Sequence, residues 1–186
     1  MIDVVSLSPA NLQDFLAFFD HDGFADNPEW ASCYCQCYYE DHTKIRWASR
    51  TARENRTRAC DRVEQGQMQG YLAYRGKKVV GWCNAAPRAL LHSLDAEPVA
   101  KIESIGTIVC FLIDPTCRGQ GIAASLLDGA CRAFRAQGLE WAEANPRSAT
   151  KSTTENHYGP LSMFLAAGFS PVRNDPDGSV WVQKRL

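Results

Sequence analysis

The stretch Ile105–Ala136, IGTIVCFLIDPTCRGQGIAASLLDGACRAFRA, organises the chain. It opens as an apolar run rich in β-branched residues, bounded by Gly106 and Pro115, which reads as a strand buried on both faces. Ile122, Leu126, Leu127, Ala130 and Phe134 then recur at helical spacing. Between strand and helix stand Arg118, Gly119, Gln120 and Gly121. This order makes an anion cradle. The first N–H groups of a helix have no internal partner, and the helix dipole adds partial positive charge there. Glycine lets a ligand come close to the backbone. Arg118–Ala123 are therefore expected to hold a phosphate or pyrophosphate.

The chain has 186 residues and a formal net charge of -1. That length suits one domain, 1–186, with a sizeable core. The near-zero charge gives no global pull toward nucleic acid or anionic membrane. No apolar run approaches the roughly 20 residues that a bilayer span needs. The N-terminus lacks a basic segment followed by an apolar block, so no signal peptide is read there and the expected compartment is the cytoplasm.

Upstream of the central stretch, Ile2–Leu7 reads as a short strand. Ser8-Pro9 then starts a helix over 9–20, with Leu12, Phe15, Leu16 and Phe19 on one face. Residues 21–28 are a loop by composition. Residues 43–65 are expected to form a second helix, whose Arg50, Arg53, Arg56, Arg58 and Arg62 read as a solvated face. Tyr71–Tyr74 and Lys78–Ala85 read as a hairpin, with a bulge expected at Gly81. A loop or short helix follows at 87–100. Downstream, Leu139–Ala144 is a strand, and strand, helix, strand in succession places it parallel to the first. A polar loop at 147–156 leads into a short helix from Pro160 to its Gly168 cap. Phe169–Arg173 and Ser179–Arg185 close the chain as a hairpin, with an edge open to pairing in a homodimer.

Eight cysteines is a high number for this length. Without a secretory signal, reduced thiols or a metal site are the expected states. Cys33, Cys35 and Cys37 share parity, so an extended chain sets all three on one face, whereas a helix turns them by about 200° per step. Zinc sites favour about two to four residues between paired cysteines, so no metal ligand is assigned. The segment 29–42 reads instead as a wall of thiols and rings, and a wall of this kind can line a substrate pocket. A thiol-rich metal or redox module, with Cys60 or His42 added, is the alternative.

Taken together, the element order, the Arg118/Gly121/Ala123 pattern after Asp114-Pro115, and the ending Phe164…Gly168-Phe169 resemble the GNAT superfamily of acetyl-CoA-dependent N-acetyltransferases. The resemblance implies an α/β fold with a mixed, mostly antiparallel central sheet. One parallel strand pair in it splays, and helices flank it. It implies acetyl-CoA as cosubstrate and a small-molecule or peptide amine as acceptor. Arg118, Gly119, Gln120, Gly121, Ile122 and Ala123 would bind the pyrophosphate. The main chain of Phe111, Leu112 and Ile113 would pair with the pantetheine arm, and an N–H near Phe111 would polarise the acetyl carbonyl. Family members often carry a tyrosine acid where this chain has Phe164. Tyr158 is the nearest substitute, with His157 beside it and Asn156 one residue before. Glu103 is the expected base, with Glu143, His42 and Cys83 as further candidates. A CoA-binding domain without useful catalysis is the other reading.

Overall fold

The computed structural model describes residues 1–95, 99, 101–148 and 157–186. Of the polar loop expected at 147–156, residues 149–156, with Asn156, lie outside the described residues, as do 96–98 and 100.

Seven strands form one sheet: β1 (Asp3–Ser6), β2 (Tyr71–Arg75), β3 (Lys78–Pro87), β4 (Ile105–Ile113), β5 (Trp141–Ala144), β6 (Ser170–Asn174) and β7 (Val180–Arg185). Their order is β1-β2-β3-β4-β5-β7-β6. Among the described strands only β4 and β5 pair in parallel, and the crossover between them is the long helix α3 (Ile122–Ala136). The mixed α/β architecture matches the expectation.

Both faces of the sheet are covered, which is why β4 reads as a continuous apolar run. On one face α3 buries Ile122, Leu126, Leu127, Ala130 and Phe134 against β2, β3 and β4. A side chain on Gly106 would meet the Phe134 ring at 2.3 Å, so glycine sits mid-strand because an aromatic lies flat on it. On the other face α1 (Leu12–Ala17) and the single π-turn that extends it (Phe18–Asp22) bury Leu12, Phe15, Leu16, Phe18 and Phe19. Phe15 meets the fully buried Trp82 edge-on, ring centroids 4.8 Å apart.

Helix α2 is shorter than the composition suggests, running Ala52–Glu64. Thr51 caps it: its hydroxyl accepts from the Glu54 N–H, and the Glu54 carboxylate answers the Thr51 N–H. That reciprocal pairing fixes the start, so 43–51 is turn and 3-10 structure instead of helix. The basic face is not simply solvated either. Arg50 and Arg62 converge on the buried Glu40 carboxylate at 2.5 and 3.2 Å, and Arg56 reaches Asp20 at 3.2 Å. The bulge expected at Gly81 falls one residue earlier, on Val80, which has no partner across from Ala73 and Tyr74.

A second bulge shapes the site. Asn84 pairs with Cys110 and Ala85 with Ile108, leaving Val109 as the extra residue in β4. At this point β5 also ends: the parallel ladder stops at Ile108 and Ala144. Beyond it β4 keeps β3 on one side and loses its strand partner on the other. The Asp114 N–H still bonds the Val80 carbonyl at 3.1 Å. Antiparallel alternation then turns the main-chain groups of Phe111 and Ile113 toward the open side. Among the described residues no helix is long and apolar enough to cross a membrane.

Candidate active site

The splay after Ile108 opens a cavity of about 170 Å³ between Phe111–Ile113 and Gly159-Pro160, closed outside by the loop Gly23–Asn27. It reaches Arg118 and Ala123. The cradle at that end is well formed. Asp114 accepts from the Thr116 N–H at 2.9 Å and pairs with Lys78 at 2.9 Å, which locks the turn after β4. Gly119 and Gly121 adopt φ of +74° and +77°, a region costly for side-chain-bearing residues. No atom lies within 4 Å of where a Cβ would stand on either, so the concavity is open. The first hydrogen bond of α3 runs from Ser125 N–H to the Gly121 carbonyl. The N–H groups of Ile122, Ala123 and Ala124 therefore precede the ladder. These features fit a pyrophosphate. The Arg118 guanidinium is engaged with the Asp26 carboxylate, and that contact holds Asp26 below the usual carboxylate range.

A second cavity of about 600 Å³ adjoins the first. Its walls come from distant parts of the chain: Phe24, Trp30, Tyr38, Trp47, Leu94, Cys110 and Tyr158 among them. Five residues border both cavities: Phe24, Trp30, Phe111, Leu112 and His157. His157 alone among these five carries an ionisable side chain. Its ring lies 3.9 Å from the Tyr158 ring and 5.7 Å from that of Trp30.

Cys33, Cys35 and Cys37 line this second cavity, but on neither an extended strand nor a helix. Two 3-10 turns, Pro28–Cys33 and Gln36–Tyr39, are joined by Tyr34 and Cys35 in the left-handed region, at φ 41° and 53°. Such strain persists only where surroundings fix it. Here Tyr34 stacks on Phe19 at 5.6 Å and donates to Asp20, while Cys35 Sγ accepts from the Trp82 indole at 3.2 Å. The segments 30–39 and 82–83 are therefore in contact, although Trp82 and Cys83 are fully buried and line neither cavity. All eight cysteines are free thiols. Among the described residues no three Cys, His, Asp or Glu side chains are grouped to hold a metal ion.

The structure brings Phe111, Leu112, Ile113, Arg118 and Ala123 to the first cavity and Tyr158 to the second. It does not bring Glu103 there. Glu103 is exposed in the turn Ile102–Ser104, before β4, about 20 Å of extended chain from Cys110. Glu143 is buried and committed to Arg88, with Thr107 donating to it at 2.9 Å, so it too is removed from the cavities. Phe164 is fully buried, packed edge-on between Phe111 and Phe169. A phenol there would need a partner this apolar site does not supply. Trp30 and Trp47 bear no local motif, and their contribution to the site is visible only once the walls are assembled.

A splayed parallel pair, a bulged central strand and a glycine cradle at the following helix define an acyl-CoA-binding transferase. The chain belongs to the GNAT acetyltransferase family, whose family model matches residues 25–150. No curated protein sequence matches it. Solved structures share the fold at low identity. The PaiA N-acetyltransferase of Thermoplasma acidophilum, in complex with coenzyme A, is 11% identical with a TM-score of 0.59, over 100% of this chain and 99% of that one. A GCN5-related N-acetyltransferase from Kribbella flavida is 14% identical with a TM-score of 0.62, over 100% and 98%. YncA of Salmonella typhimurium, with its cofactor acetyl-CoA, is 12% identical with a TM-score of 0.57, over 100% and 94%.

Proposed function

We propose that the protein transfers an acetyl group directly from acetyl-CoA to an amine held in the larger cavity. The observation that carries this reading is the junction itself: the cavity along the open edge of β4 meets a second, larger one at Phe111 and His157. Acetyl-CoA supplies an activated thioester carbonyl. The N–H groups of Ile122–Ala124, with those of Gly119 and Gly121, bind its pyrophosphate. The main chain of Phe111 and Ile113 pairs with the pantetheine arm as an added strand would. The Phe111 N–H points at the carbonyl oxygen and stabilises charge developing there. His157, at the junction, accepts the proton of the attacking amine, and Tyr158 donates one to the departing sulfur. Glu103 has no part in this assignment.

The test has two arms. Gly121→Val sets a β-branched residue at φ +77° and fills the open cradle. It is expected to weaken CoA binding at least about 100-fold by calorimetry, a loss of about 2.7 kcal/mol, while circular dichroism keeps the native fold. Tyr158→Phe is expected to lower kcat about 100-fold with CoA affinity unchanged. Unchanged CoA affinity in the first variant would sink the cradle. CoA binding by the wild type with no turnover across a broad amine panel would favour a non-catalytic CoA-binding domain.

A further inference from the structure

The larger cavity has a composition that selects its occupant. We infer that the acceptor is a small primary amine on an aromatic body, bearing no acidic group; this rests on the transferase reading above. The volume, about 600 Å³, is that of a small-molecule site. Rings close it from several directions: Trp30 and Tyr38 from the 3-10 segment, Trp47 from the turn before α2, and Tyr158 from the chain entering α4 (Leu161–Ala166). His42 stacks on Trp47, ring centroids 6.3 Å apart, which extends that wall. Between the rings stand four sulfurs, those of Cys33, Cys35, Cys37 and Cys110. Polarizable sulfur and ring edges both favour an aromatic guest.

Charge decides the rest. Among the described lining residues there is no lysine or arginine, and the single carboxylate is the exposed Glu29. Three arginines of the neighbouring segments are engaged elsewhere: Arg50 and Arg62 hold Glu40, and Arg118 holds Asp26. Among the described lining residues, a carboxylate or phosphate on the acceptor would leave water and meet no lysine or arginine, only the imidazoles of His42 and His157, a cost that disfavours it. The thiols do not reverse this balance. Burial lifts Cys37 to about 11. The neighbouring Cys35 thiol, then burial, also lifts Cys33 well above the usual thiol range. Both stay neutral at physiological pH, so the wall is apolar and not anionic. Ring faces and Glu29 attract an incoming ammonium, and the junction at His157 is where it would lose its proton. A polyamine would push a second ammonium into the apolar end with no partner, and is excluded on the same ground.

The experiment uses matched pairs. Tryptamine and phenethylamine are compared with tryptophan and phenylalanine, which differ only by the carboxylate, and with spermidine. Binding to the CoA-loaded protein is read by calorimetry, and transfer by mass spectrometry of the acetylated product. Each arylalkylamine is expected to exceed its amino acid at least 100-fold in kcat/KM and to bind where the amino acid does not. Trp47→Ala, which removes a ring from the larger cavity only, is expected to raise KM for tryptamine about tenfold and leave CoA affinity unchanged. Equal or better turnover of tryptophan, phenylalanine or spermidine overturns the inference. CoA binding without turnover or binding of either arylalkylamine overturns it while leaving the cradle standing. Absence of CoA binding by the wild type overturns the transferase reading and this inference with it.

Discussion

At the scale of single residues, burial has made the thiols of the candidate site inert. Cys37 is half-buried beside Cys33 and Glu40, and burial first, then those neighbours, pushes its thiol from 9.0 up to about 11. A raised thiol pKa means less thiolate at any pH below it. At pH 8 Cys37 is expected to alkylate with iodoacetamide about 100-fold more slowly than an unstructured peptide thiol. Its rate should keep rising with pH toward 11. Site-resolved mass spectrometry of the labelling rates checks this, and a rate matching the free peptide would contradict it. The same reasoning explains why a dense cysteine segment gives a lining instead of a redox centre. Composition showed the thiols, while only their burial and their contacts with one another in the folded segment set their protonation.

At the scale of elements, the cavity wall 34–40 is bolted to α2 through one carboxylate. Glu40 is buried and meets Arg50 at 2.5 Å and Arg62 at 3.2 Å. Arg62 also donates to the Gln36 side chain and to the Tyr39 carbonyl. Two consecutive left-handed residues at 34 and 35 tolerate their strain because this anchor and the Tyr34–Asp20 contact hold both ends. Glu40→Ala leaves two largely buried guanidinium groups uncompensated, a loss of about 3 kcal/mol. Hydrogen exchange at 34–40 is expected to accelerate while the β4 amides keep their protection. Equal acceleration of both would mean the anchor is global and not local. The true start of α2 was legible, since Thr51 and Glu54 form a capping box in sequence. The charged residues before it have helix-compatible composition, and composition alone carried the expected helix too far upstream.

At the scale of the molecule, one buried ion pair ties four strands where the sheet begins to splay. Arg88 leaves the end of β3, and Glu143 lies on β5, both side chains 2% exposed. Thr107 of β4 and Gln183 of β7 add hydrogen bonds to the same carboxylate at 2.9 and 3.4 Å. Glu143→Ala strands the arginine charge and is expected to cost about 3–5 kcal/mol. In a chain of this size that is roughly 10 °C in Tm. Replacing Arg88 and Glu143 together by Met and Leu should recover part of the loss; denaturant unfolding of single and double variants checks both. The sequence by itself determined the strand, cradle and helix of Ile105–Ala136, the parallel crossover and the family. Those depend on short-range periodicity and on turns that only glycine makes at low cost. The splay at Val109, the commitment of Glu143 to Arg88, the exclusion of Glu103 and the ring-lined cavity were decided only by the tertiary structure. Each joins residues tens of positions apart, and burial and pairing there depend on which side chains the folded sheet brings into contact.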